Sequence, residues 1–176
     1  MSKLPPFNVS TAKFSPCKNY RYILTRIWGK GDNLAMFVGL NPSTADEANS
    51  DPTVTRCVLY AQRWGYDGLI MTNIFAWRST DPKALYAVPE PIGEENDAWL
   101  VTAAATAKIV VLAWGAHGAY KGRGIDVLKL LRAPSLTRAK LHFLKLTKEG
   151  YPGHPLYLKS SLKPIQFFVD KPWSPE

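Results

Sequence analysis

The sequence predicts an α/β protein of three layers, α/β/α, with a central, mostly parallel sheet of about four strands and an added N-terminal antiparallel hairpin strand. Three observations carry this expectation. Leu34–Leu40, Gly68–Phe75 and Lys108–Trp114 are apolar runs of strand length, the continuous pattern of strands buried on both faces. Segments with helical spacing and helix-start signals lie between them, and strands that alternate with helices pair in parallel through crossovers. The stretch YRYILTRIW at Tyr20–Trp28 instead alternates and is rich in β-formers, the mark of a half-buried strand.

Each element follows from local signals. Gly29-Lys30-Gly31-Asp32 is a turn signal, which joins Tyr20–Trp28 to Leu34–Leu40 as a hairpin. Asp51-Pro52-Thr53 reads as an N-cap with proline in the first helical turn. Val54, Cys57, Val58, Ala61 and Trp64 then recur at helical spacing until Gly65 stops the helix. Gly68–Phe75 is the next strand, and Asp81-Pro82 opens a short helical turn. Glu95–Ala107 is alanine-rich, with Trp99, Leu100, Ala103, Ala104 and Ala107 placed to pack. Lys108–Trp114 is a buried strand, Ile125–Leu131 a helix and Leu141–Leu146 a short strand.

Composition narrows the class. The 176 residues suit one domain spanning 1–176, and 46% apolar with 20% charged residues is ordinary globular usage. No apolar run approaches the roughly 20 residues that span a bilayer. Met1-Ser2-Lys3-Leu4-Pro5-Pro6 lacks a signal core, so a cytoplasmic monomer is expected. Cys17 and Cys57 show no pairing pattern and read as buried thiols. His117, His142 and His154 lack ligand spacing, so neither metal nor cofactor is expected. The net charge is +8, and between residues 121 and 163 ten Lys/Arg, among them Lys121, Arg123, Arg138, Lys140, Lys159 and Lys163, face two acids. Such a segment suits a polyanion partner, and equally a solvated basic surface.

Ligands of parallel sheets bind outside the carboxyl ends of the strands, and unusual residues cluster there. Asn41-Pro42-Ser43 ends one strand, Asn73 the next and Trp114-Gly115 the third, while TKEGYPGHPLYL at Thr147–Leu158 follows the fourth. Asn41, Ser43, Asn73 and His154 can meet in one crevice. The set holds no strong acid and no activated nucleophile, so it suits reading a polar planar ligand. Each member also has a structural reading: a strand-exit turn at Asn41–Ser43, a loop contact at Asn73, a loop residue at His154. Asp46 and Asp51 read as caps or as metal or water ligands. Trp28, Trp64, Trp77 and Trp99 read as packing, and Arg56, Arg63 and Arg78 as surface or phosphate contacts.

From YRYILTRIW to HPLYL the chain resembles a bacterial and phage family known as domain of unknown function 1643. LNPSTAD, DPTVTRC, RWGY, TNIFAWRSTDP, GEEND, AWGAHG and GYPGHPLYL carry the likeness. More distantly it resembles the uracil-DNA glycosylase superfamily. Gly39-Leu40-Asn41-Pro42 is similar to that superfamily's Gly-x-Asp/Asn-Pro motif, Asn73 to its strand-end asparagine, VVLAWGAHGAYKGRGID to its Trp-Gly strand end and basic helix, and His154-Pro155-Leu156 to its His-Pro loop.

This second resemblance implies a glycosylase-like fold and a DNA partner, double- or single-stranded, whose base, once flipped out of the stack, is bound and whose N-glycosidic bond is then open to hydrolysis. Asn41 and His154 would be catalytic. Asn41 would position water where faster members have an aspartate, and His154 would stabilise the departing base or the sugar–phosphate. Gly39, Ser43 and Asn73 would contact the base, with Ser43, in place of a blocking tyrosine, leaving room for C5 substituents. Leu156, Tyr157 and Leu158 would form a wedge, and Lys159, Lys163, Lys121 and Arg123 would meet phosphates. Two alternatives stand beside this: a reader of modified bases that does not cut, and an enzyme of free nucleosides or nucleotides.

Overall fold

The computed structural model describes residues 3–133 and 141–167. Seven strands, β1 (Val9–Phe14), β2 (Arg21–Ile27), β3 (Leu34–Gly39), β4 (Gly68–Asn73), β5 (Ile109–Leu112), β6 (Leu141–Phe143) and β7 (Ile165–Gln166), form one sheet. Its order is β1-β2-β4-β3-β5-β6-β7. Pairing is parallel from β4 through β3 and β5 to β6, and antiparallel at both flanks. The sheet is therefore mixed and seven-stranded, wider than the four parallel strands and one hairpin strand expected.

Helix α1 (Pro52–Arg63) covers one face, and α2 (Asn96–Thr106) and α3 (Arg123–Leu131) cover the other. Successive β3 side chains point to opposite faces. Leu34, Met36 and Val38 pack with Leu100, Ala103 and Val127, while Ala35 and Phe37 pack with Val54, Cys57, Val58 and Ala61. Every residue of β3, β4 and β5 is buried, which is why these strands read as unbroken apolar runs.

The expected hairpin between β2 and β3 does not form. Both edges of β3 are taken by the parallel neighbours β4 and β5. Strand β2 pairs instead with the outer edge of β4 and makes its hairpin with β1. That turn is tight, with Lys18 at φ 63° and its amide bonded to the Ser15 carbonyl.

The crossover through α1 carries the chain from β3 to one side, to β4, and the crossover through α3 carries it from β5 to the other, to β6. The ends of β3 and β5 thus flank the point where the winding reverses, the place where open α/β sheets hold ligands. No described helix is long and apolar enough to cross a membrane.

Candidate functional site

A cavity of about 490 Å³ opens at that reversal point. Its walls include Asn41 and Ser43 after β3, Asp51-Pro52-Thr53 at the start of α1, and Trp114, Gly115 and His117 after β5. His154, Leu156, Tyr157 and Leu158, from the loop after β6, close the ring. A smaller recess of about 30 Å³ adjoins it, lined by Arg21, Gly39, Asn41, Ser43, Asp51, Asn73 and His154 among others. Asn41, Ser43, Asn73 and His154 are thus gathered from distant parts of the chain, with Asn73 confined to the recess.

Asn41 is held by its amide nitrogen, which donates to the carbonyls of Ser79 at 2.9 Å, Pro42 at 3.2 Å and Trp77 at 3.4 Å. Three carbonyls can face only the NH2 side of a carboxamide, so the orientation is fixed. The oxygen accepts no hydrogen bond among the described residues and is left for a donor in the cavity. The same contacts extend the β3–β4 ladder beyond the strands, together with Ile74 N–H to Gly39 O, Phe75 N–H to Leu40 O and Ser79 N–H to Pro42 O.

Asn73 is 2% exposed, and its Nδ2 has no hydrogen-bond partner among the described residues. Gly39 lies opposite Asn73 in the ladder. A Cβ at Gly39 would stand 2.7 Å from Asn73 Oδ1, so Gly39 makes the room in which the Asn73 side chain lies.

His154 caps the short 3-10 turn Pro155–Tyr157, its Nδ1 accepting from the Leu156 amide at 3.3 Å. A nitrogen that accepts carries no proton, so the neutral ring has its hydrogen on Nε2 and is a donor there. Burial pushes the imidazole below its usual range, and the Asp51 carboxylate opposes that shift. Gly115, at φ 72°, adopts a conformation that favours glycine, and a Cβ there would touch the His154 side chain.

Asp51 both caps α1 and walls the cavity. Its Oδ1 accepts from Val54 N–H at 2.8 Å, and the residue is only 6% exposed. Among the described residues it is the one carboxylate that lines the cavity and the recess. Asp46 stays a loop cap, accepting from the amides of Asn49 and Ala48, and these bonds hold its carboxyl below the usual range. Among the described residues no group of three His, Cys, Asp or Glu is placed to hold a metal ion.

Two buried cations escaped the sequence reading. Arg21 lines the recess and donates to the Ala45 carbonyl at 2.6 Å. Burial pulls its guanidinium down to about 10, against the field of Asp51, so it is cationic at neutral pH. Arg26 donates to the carbonyls of Asp46 and Asn49. A signal existed, since two arginines interrupt an otherwise apolar β-rich stretch, but a half-buried strand shows polar residues on its wet face as well.

Several expected contacts change. Arg123 is buried and bonded to Asp97 and to the Ile74 carbonyl, so it holds α3 to α2 and β4 and does not face a phosphate. Leu158 packs half-buried against the core under α1 and Leu156 is half-buried. Of the three residues expected to form a wedge, Tyr157 alone is exposed, 83% at the cavity lip, with its ring 5.4 Å from that of His154. Lys159 and Lys163 are exposed, as is Lys121, whose Nζ donates to the Pro89 carbonyl. Arg138 and Lys140 lie outside the described residues. Arg63 bonds the Ser160 carbonyl, and Arg78 lies over the Phe14 ring and bonds the Lys18 carbonyl. Cys57 is buried as expected, whereas Cys17 is exposed because it sits in the β1–β2 turn.

His117 also lines the cavity, its Nδ1 2.7 Å from the hydroxyl of Tyr86. No spacing signal marked it, because its partner lies 31 residues away.

The family model described as protein of unknown function (DUF1643) matches residues 21–156. The chain belongs to that family. Neither a curated protein nor a solved structure matches it.

Proposed function

We propose that this DUF1643 protein binds a nucleobase extruded from DNA in the cavity between the ends of β3 and β5, and that hydrolysis of its N-glycosidic bond is the reaction its residues suit. One observation carries the reading: Asn41, Ser43 and His154, from segments far apart in sequence, wall one cavity of about 490 Å³, within the usual range for small-ligand sites. Around it stand a fixed amide oxygen at Asn41, a neutral imidazole with its donor on Nε2 at His154, and an exposed aromatic ring at Tyr157.

Cleaving a deoxynucleotide develops positive charge on the sugar and negative charge on the departing base. His154 Nε2–H offers a hydrogen bond to that base without transferring its proton. The Asn41 oxygen orients water, though an amide cannot take its proton. Tyr157 can stack in the gap that the flipped base leaves, and Lys159 and Lys163 are exposed for backbone phosphates. Ser43 leaves the side of the base open, so C5-substituted bases are the expected ligands.

A second reading, a reader that does not cut, draws on the Asn41 contacts, since an amide held by three carbonyls also serves as a loop clamp. Mass spectrometry of bases released from plain and heavily modified phage DNA tests the first reading. Release of a modified base supports excision. Salt-dependent binding without release supports the reader, and absence of DNA binding ends both.

A further inference from the structure

We propose that Asp51 is the carboxylate that serves hydrolysis in this site, taking the part that Asn41 cannot. The inference rests on the cavity being a base site. Among the described residues Asp51 is the one carboxylate lining either the cavity or the recess. Its place at the start of α1 is fixed by the bond from Val54 N–H to Oδ1 at 2.8 Å, which holds the side chain in one rotamer. The second oxygen makes no hydrogen bond among the described residues. Its charge reaches His154 on one side and Arg21 on the other, raising the proton affinity of both.

The recess joins these groups. At about 30 Å³ it has room for a water molecule, and Asp51, Asn41 and Asn73 all line it. Asn73 brings a buried Nδ2 that has no partner among the described residues. Water at this point accepts from Asn73 Nδ2–H and donates to the free Asp51 oxygen and to the Asn41 oxygen, which fills the orphan donor and leaves a lone pair for attack.

In the step itself the C1′–N bond breaks and its electron pair leaves on the base nitrogen, with His154 Nε2–H bonded to the anion. The water oxygen bonds to C1′, and the water proton passes to Asp51 and then to solvent. The base takes a proton from solvent. The products are an abasic sugar and the free base, and no oxidant or further reactant is needed. Before the proton moves, the anionic carboxylate also stabilises the sugar cation.

The test uses the full chain and its Asp51→Asn variant. Asparagine caps helices as well as aspartate does, so the variant keeps the helix start and loses only the charge. Asp51→Ser is the second variant, since serine also caps. The probes are duplexes carrying a single uracil or a single 5-hydroxymethyluracil, and phage DNA rich in modified thymine. Alkali-labile sites report release, fluorescence anisotropy reports binding, and thermal melting confirms the fold. The expected result is release by the wild type and a loss of at least roughly a hundredfold in both variants, the usual weight of a positioned base, with DNA affinity within about twofold. Release by Asp51→Asn at the wild-type rate overturns the proposal. So does a wild type that binds these DNAs and releases nothing, an outcome that leaves the base-binding reading in place. A wild type that binds none of them overturns both.

Discussion

The segment from Asn41 to Asp51 and the segment from Thr147 to Leu162 both wall the cavity, and both are almost free of regular structure. They are held by different means. The first is gripped from beneath by cations on β2: Arg21 bonds the Ala45 carbonyl, and Arg26 bonds those of Asp46 and Asn49. The second is gripped from one side by α1, where Tyr60 bonds the Lys159 carbonyl, Arg63 that of Ser160 and Trp64 Nε1 that of Leu162. Positions 60, 63 and 64 share one helix face, so a single surface clamps the whole lip that presents Tyr157. Irregular backbone leaves carbonyls without ladder partners, and each one that is buried needs a donor. Here the donors are long side chains from elements far away in the sequence, buried and charged in one case, mostly neutral and running from the buried Tyr60 to the exposed Arg63 in the other.

Removing the buried cation gives the larger expected effect. In Arg21→Met the Ala45 carbonyl loses its partner and Asp51 loses a nearby positive charge. A hydrogen bond from a charged donor is worth about 1.5–3 kcal/mol, and relief of the desolvated guanidinium offsets part of it, so a net loss of about 2 kcal/mol is expected. Urea denaturation reads it. A variant as stable as the wild type would show that the Asn41–Asp51 segment holds its shape without this contact.

The second clamp is weaker at each point. Tyr60→Phe removes one hydroxyl bonded at 2.6 Å to the Lys159 carbonyl, a neutral, part-buried pair worth about 1 kcal/mol. Most of that loss should appear locally, as faster hydrogen exchange and proteolysis between residues 156 and 162, with global stability changed little. A fall of several kcal/mol in global stability would mean that the lip is part of the core and not an attached flap.

The same contrast explains what the sequence disclosed. Helix α1 was legible because its signals are local: Asp51 accepts from Val54 three residues on, Pro52 follows it, and the buried Val54, Cys57, Val58 and Ala61 keep helical spacing. The ends of β3, β4 and β5 were legible because fully buried strands read as apolar runs. Strand β1 was not, since an edge strand that alternates exposed and half-buried residues has no buried face to announce it. The turn at Gly29–Asp32 says that the chain turns there, not which strand will be the neighbour, and so the wrong partner was expected for β2. The convergence of Asn41, Ser43 and His154 followed from the strand-end rule. Arg21 was passed over and Arg123 was expected at a phosphate for one reason: an arginine's letter does not say whether its donors meet water, a carbonyl or a phosphate. The two histidines divide likewise. His154 was visible through its His-Pro context, whereas His117 depends on a hydroxyl from Tyr86 that only folding brings near.

The smallest expected effect tests whether the second segment is tied to the protonation of its own residue. His154 titrates near 6.5 in an unfolded chain and lower in the fold, because burial disfavours its charged form. Between those two values the unfolded chain binds more protons than the folded one, so stability falls as pH falls. The contribution is fully present above about 6.5 and is lost progressively as pH drops toward and through the folded value. His154→Asn keeps a short polar side chain at this cap and removes the titration. Urea denaturation of both proteins at pH 8 and at pH 5 should therefore show a larger acid-induced loss in the wild type than in the variant. Equal losses would mean that the imidazole meets water as freely in the fold as in the unfolded chain. The Leu156 amide would then be no constraint on its tautomer, and the donor at Nε2, on which the proposed base site depends, would have no fixed direction.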